Sequence, residues 1–146
     1  MKVSTRGRYG LRLMMALAEH YGRGPLAVDA IAKSENLSAN YIHILAQSLR
    51  AAGLVHAVRG PGGGYELQRA PSSITAKDVV AVVEGSFEPA PCVRDENSCG
   101  RIEGCAAHEL WREVAKAIDS VLSAVSIEEL ARRQQAKRNV PLHYDI

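Results

Sequence analysis

Apolar positions in the first third of the chain recur at helical spacing. Tyr9, Leu13, Ala16, Leu17, His20 and Tyr21 fall on one line, with Arg8, Arg12 and Glu19 largely off it, and predict a helix over 4–21. Gly22, Gly24 and Pro25 end it. Residues 26–35 predict a short second helix carrying Val28, Ile31 and Ala32 on one side. Asn36 and Leu37 make a turn, and Ser38 is suited to cap a third helix over 39–52 that buries Ile42, Leu45 and Leu49, with Gly53 following it. The period then changes. Residues 54–58 read as a strand, Arg59 to Gly64 as a turn and 65–68 as a return strand.

Beyond Pro71, Thr75 and Asp78 form a capping-box-like start to a helix over 76–84. Residues 85–104 carry Pro, Gly, Cys and charges without a period, and an aperiodic loop of that length in a compact domain is usually functional or disordered. The longest helix is expected over 106–125, with Leu110, Trp111, Val114, Ile118, Val121, Leu122 and Val125 as a wide apolar stripe. Ser126 and Glu129 read as a second capping box, opening a terminal helix that ends with Arg132, Arg133, Lys137 and Arg138. The fold class is therefore mainly α with a small β-hairpin wing: a winged helix-turn-helix over 1–70, a linking helix and loop over 71–91, and a cysteine-rich loop over 92–108. Two helices over 106–138 and a tail over 139–146 complete it.

Length and composition fit one domain: 146 residues, 47% hydrophobic and 23% charged, with no run approaching the ~20 apolar residues of a membrane-spanning helix. The basic N-terminus lacks the apolar stretch of a signal peptide, so a cytoplasmic location is the expectation. The net charge of +2 hides an asymmetry. Residues 1–70 carry nine Lys/Arg against four Asp/Glu, and residues 71–146 carry nine against twelve. A basic front half suits a polyanion, although a solvated face would look the same.

The candidate nucleic-acid contacts follow from this layout. Ser38, Asn40, Tyr41 and His43 occupy the first turn and a half of the third helix, where a recognition helix meets base edges and phosphates. Arg59 and Gly60 sit at the hairpin tip, in position to enter a narrow minor groove, and Lys2, Ser4, Arg6 and Arg8 are placed for backbone contacts. A nucleotide-binding reading of the glycine run finds no Gly-Lys-Ser/Thr and no strand–helix unit. No triad, paired-carboxylate site or cofactor fingerprint is present, so neither an enzyme nor a small-molecule substrate is expected.

Cys92, Cys99, Cys105 and His108 have the spacing C-x6-C-x5-C-x2-H. Thiolates are the ligands of iron–sulfur clusters and good ligands for zinc, and free reactive thiols would carry the same pattern. The absence of a tight Cys-x2–4-Cys knuckle counts against zinc, and that of Cys-x-x-Cys against a thiol oxidoreductase.

The segments KVSTRGRYGLRLM, LSANYIHILAQSLRAAGLVHAVRGPGGGYEL, SITAKDVVAVVEG and CAAHELWREV together resemble the IscR, NsrR and CymR family of bacterial winged-helix regulators over about residues 1–138, and most nearly its IscR branch. The resemblance implies a homodimer that binds a palindromic double-stranded DNA operator. The long helices would pair through Trp111, Val114, Ile118, Val121, Leu122 and Val125, and the terminal helix would reach across to the partner. It also implies a 2Fe–2S cluster on Cys92, Cys99, Cys105 and His108. The branch with a 4Fe–4S cluster draws on an acidic residue in the first helix, where this chain has Arg6 and Arg8. Two departures stand out: the first Cys gap is one residue longer than in the best-known members, and His43 and Ile44 occupy places where the IscR branch usually has Glu and Gln. The resemblance therefore implies an altered base preference.

Overall fold

The computed structural model describes residues 2–140, so the tail expected over 139–146 lies outside the described residues from 141 onward. Among the described residues, seven α-helices and one antiparallel hairpin make up the fold: α1 Thr5–Glu19, α2 Val28–Glu35, α3 Ala39–Ala51, β1 Val55–Val58, β2 Gly64–Leu67, α4 Ala76–Glu84, α5 Pro91–Arg94, α6 Ala106–Ala124 and α7 Ile127–Arg138. It is the mainly α architecture with a hairpin wing that the periodicity predicts.

Each long element starts where its sequence provides a cap. Ser4 accepts from the Gly7 amide at 3.2 Å and opens α1, and Ser38 accepts from the Tyr41 amide at 3.1 Å and opens α3. Both halves of the Thr75–Asp78 box form, at 3.1 and 2.9 Å. At α7 only the serine half forms, from the Glu129 amide to Ser126 at 3.1 Å. The Glu129 carboxylate turns instead to Arg132 and Arg133, at 2.8 and 2.9 Å, and the bond from Arg133 holds that carboxyl below the usual carboxylate range.

Three segments differ from the expected pattern. Leu26 is not helical: its amide and carbonyl both bond to Tyr65, at 2.8 and 3.0 Å, and extend the hairpin by a bridge. A Cβ at Gly64 would collide with the Leu26 carbonyl oxygen, so the bridge requires glycine there. α1 stops at Glu19, which leaves Tyr21 exposed in the following turn rather than on the apolar face. Residues 85–104 contain α5 and two 3-10 turns, Glu96–Ser98 and Ile102–Gly104, each too short to leave a period in the sequence.

One core joins the helix-turn-helix to the C-terminal part. Leu13, Met14, Leu17, Ile31, Ile42, Leu45, Leu49, Val55, Ile74, Val79 and Ile127 are its largest fully buried members. α1 packs on α4 and α7, and α3 packs on α4. The start of α4 is stitched to the α6–α7 junction by bonds from the Ala76 amide to the Val125 carbonyl and from the Ile127 amide to the Ile74 carbonyl, both 2.8 Å. The terminal helix packs on α1 of its own chain. It buries Ile127 and Ala131 and ends on an ion pair from Arg138 to Glu19 at 2.6 Å.

Because Ile127 closes the core under this stitch, Ile127→Ala should lower unfolding stability by about 2–5 kcal/mol, read from urea melts at matched protein concentration. A loss of a few tenths would show that α7 docks only loosely.

Candidate nucleic-acid interface and cysteine loop

The inner face of α3 is set by Ile42, Leu45, Ala46 and Leu49, all fully buried. That burial turns Asn40, His43, Ile44 and Gln47 outward on the opposite face. Of the residues expected to meet DNA, Asn40 is free to do so, and Ser38 spends its hydroxyl oxygen on the helix cap. Tyr41 is half-buried, with its ring edge-on to Tyr9 at 6.1 Å, and the guanidinium groups of Arg12 and Arg8 lie 5.3 and 5.8 Å from the Tyr9 ring centre.

His43 has a partner that the sequence reading missed. Its Nδ1 lies 2.7 Å from the Tyr65 hydroxyl, and the two rings meet edge to face at 5.7 Å. Tyr65 is buried in β2, so His43 ties the recognition helix to the wing. Arg12, off the apolar line of α1, also has a partner that its local sequence does not show. Its Nε bonds the buried Glu35 carboxylate at 2.7 Å, fixing α1 to the end of α2 immediately before the turn into α3. Asn36 makes that turn in the left-handed conformation, with φ 53°.

The flanking basic residues sit around this face. Arg6 bonds the Ser48 hydroxyl at 3.1 Å, which brings the start of α1 beside α3, and Lys2 and Arg8 are exposed nearby in sequence. The Ser4 amide donates to the Glu84 carboxylate at 2.6 Å, tying the start of α1 to the last residue of α4. Arg59 and Gly60 are exposed at the hairpin tip, and Gly60 and Gly62 take positive φ of 94° and 74°, which allows the tight loop between the paired Val58 and Gly64.

The cysteine loop is looser. Cys92 lies half-buried in α5, Cys99 is exposed, and Cys105 is the half-buried residue from which α6 starts, with no side-chain cap at that end. His108 is the one buried residue of α6, and neither of its ring nitrogens has a hydrogen-bond partner. α5 packs against α6, so the helix bearing Cys92 and the helix bearing His108 are neighbours. Among the described residues, no three His, Cys, Asp or Glu side chains are gathered to hold a metal ion. The apolar stripe of α6 is left largely open: Leu110, Trp111 and Val121 are 53%, 38% and 65% exposed, and Val114, Ile118, Leu122 and Val125 are half-buried. No helix among the described residues is long and apolar enough to cross a membrane.

A helix-turn-helix with a glycine-tipped wing, a basic rim and a recognition face is the form of a DNA-binding regulator. The profile of the Rrf2 family, described as an iron-dependent transcriptional regulator, matches residues 3–133. The chain is 39% identical to the HTH-type transcriptional regulator CymR of Bacillus subtilis over 144 residues, covering 99% of each. It is 35% identical to the regulator IscR of Xenorhabdus nematophila, covering 92% of this chain and 82% of that one. Among solved structures, CymR, the global cysteine regulator of B. subtilis, superposes with a TM-score of 0.76 at 41% identity, covering 91% of this chain and 98% of that chain. The T. potens IscR structure gives 0.76 at 33%, covering 99% and 95%. The chain belongs to the Rrf2 family of transcriptional regulators.

Removing the Tyr65 hydroxyl tests the helix–wing tie. Tyr65→Phe should keep the fold, lower stability by about 0.5–1.5 kcal/mol, and weaken sequence-specific more than non-specific DNA binding in anisotropy titrations. Equal weakening of both would assign the tie to stability alone.

Proposed function

We propose that this regulator binds its operator as a homodimer and that a 2Fe–2S cluster held by Cys92, Cys99, Cys105 and His108 controls the binding. The observation that carries the cluster reading is His108. A buried imidazole with both nitrogens unpartnered is unfavourable, and a metal is one partner that would satisfy it. The donor set fits as well: three thiols and one imidazole match iron–sulfur chemistry, and the uncapped start of α6 favours a negatively charged group beside Cys105. When bound, such a cluster supplies a one-electron redox centre whose imidazole ligand raises its potential above that of an all-cysteine site. Cys99, now exposed, would have to turn inward, so binding would order the loop.

The protein itself provides the route from that loop to DNA. Residues 85–105 join α4, whose Glu84 holds the start of α1, to α6. The open apolar face of α6 fits pairing with a second copy through Trp111, Val114, Ile118, Val121, Leu122 and Val125. Two recognition helices on such a dimer would read half-sites of a palindrome about one helical turn apart, or ~34–36 Å. Lys2, Arg6, Arg8, Asn40, Tyr41, Arg59 and Gly60 form the contact set of this proposal, with Ser4 and Ser38 as caps and His43 as tie to the wing.

A second reading is a regulator without a cluster, controlled through its thiols, by zinc, or by a partner protein or metabolite. The exposure of Cys99 and the ungathered ligands favour it, as does similarity to a relative described as a cysteine regulator. Anaerobic purification with iron and sulfide assay separates the two. The cluster reading expects a red-brown protein with two irons and two sulfides per chain, bleached by Cys105→Ala and given an altered spectrum by His108→Ala. Four irons would contradict the ligand assignment. A protein left colourless by reconstitution with iron and sulfide would favour the thiol reading.

A further inference from the structure

Ile44 stands in the middle of the recognition face with nothing covering it. It is 45% exposed, and it is the one large apolar side chain left exposed on α2 and α3 among the described residues. On the same helix the four core-facing residues are fully buried, so α3 does not need Ile44 for its own packing. Asn40 and Gln47 lie four residues before and three after it, on the same face. His43, its neighbour, is held by Tyr65 and fixes the helix against the wing.

The surroundings state what kind of surface this face meets. No acidic residue occurs between Glu35 and Glu66, whereas Arg50 and Arg59 do. Arg6 is bonded to Ser48, four residues on from Ile44, so a guanidinium is held one helical turn from the exposed isoleucine. An apolar side chain on an acid-free segment, with a guanidinium one turn away and a carboxamide on either side, complements the major groove. There the phosphates lie outside, adenine and guanine edges offer hydrogen bonds, and the thymine 5-methyl is the one apolar group displayed.

We infer that Ile44 reads a thymine in each half-site by packing on its 5-methyl group, with Asn40 and Gln47 reading the adjoining base pairs. The inference rests on the DNA-binding reading above and adds a specificity-determining residue to it. His43 supports this reading by holding the helix to the wing, and is itself a positioning residue.

The test replaces thymine by deoxyuridine, which removes only the methyl group. An operator is first selected from random duplexes with the full-length protein, and each dT is then exchanged for dU in turn. One symmetry-related dT per half-site should be sensitive, with affinity falling about fourfold per half-site, the effect of withdrawing a single methyl from contact. Ile44→Ala should bind more weakly and be indifferent to that exchange, while Ile44→Leu should keep the sensitivity. Thermal melts check that both variants fold, as expected for a half-exposed helical position. An operator with no dU-sensitive thymine would overturn the role of Ile44 and leave DNA binding intact. So would sensitivity that survives in Ile44→Ala, or a variant that binds normally and changes only its oligomeric state. Failure to enrich any sequence would overturn the DNA-binding reading as well.

Discussion

The burial of one side of α3 governs the rest of the arrangement. Ile42, Leu45, Ala46 and Leu49 lock that helix against a core shared with α1 and α4, and a helix held so firmly has no freedom to roll. Its outward residues are then determined. The same core receives Ile74 and Ile127, so the orientation of the recognition helix and the docking of the C-terminal helices depend on a single packed interior.

Polar ties add register where apolar packing alone would allow sliding. Arg12 to Glu35, His43 to Tyr65 and the Ser4 amide to Glu84 each join elements far apart in the chain. All three act on elements of the proposed DNA-binding face: the first sets the entry into α3, the second sets the wing, and the third sets the basic N-terminus. Glu35 is buried, so its pair with Arg12 contributes by satisfying a carboxylate that is otherwise costly to bury. The link through Glu84 also joins the cysteine loop to the start of α1.

What could be read from the chain alone follows a physical rule. Elements specified by local chemistry were legible: the Thr75–Asp78 box marked the start of α4, and Ser38 with the period of Ile42, Leu45 and Leu49 marked α3. Features made by distant partners were not. Leu26 pairs with Tyr65, which no window around residue 26 contains, and the same distance hid the tie of His43 to the wing. The partner of Arg12, Glu35, lies 23 residues on and is equally outside any local window. The stripe on α6 was visible, but its spacing could not tell burial within the chain from exposure to a second copy. The Cys and His spacing named a set of ligands, whereas the buried and unpartnered state of His108 emerges only from the fold.

In the proposed regulator a sensing loop is coupled to a DNA-reading face, and operator affinity measured on one anaerobic preparation, before and after iron removal by chelation, tests that coupling most directly. Coupling through an ordered 92–108 loop predicts a change in affinity within the range of about 5- to 150-fold that separates two coupled states, with non-specific binding unchanged. Equal operator affinity in the iron-loaded and iron-free protein would contradict it.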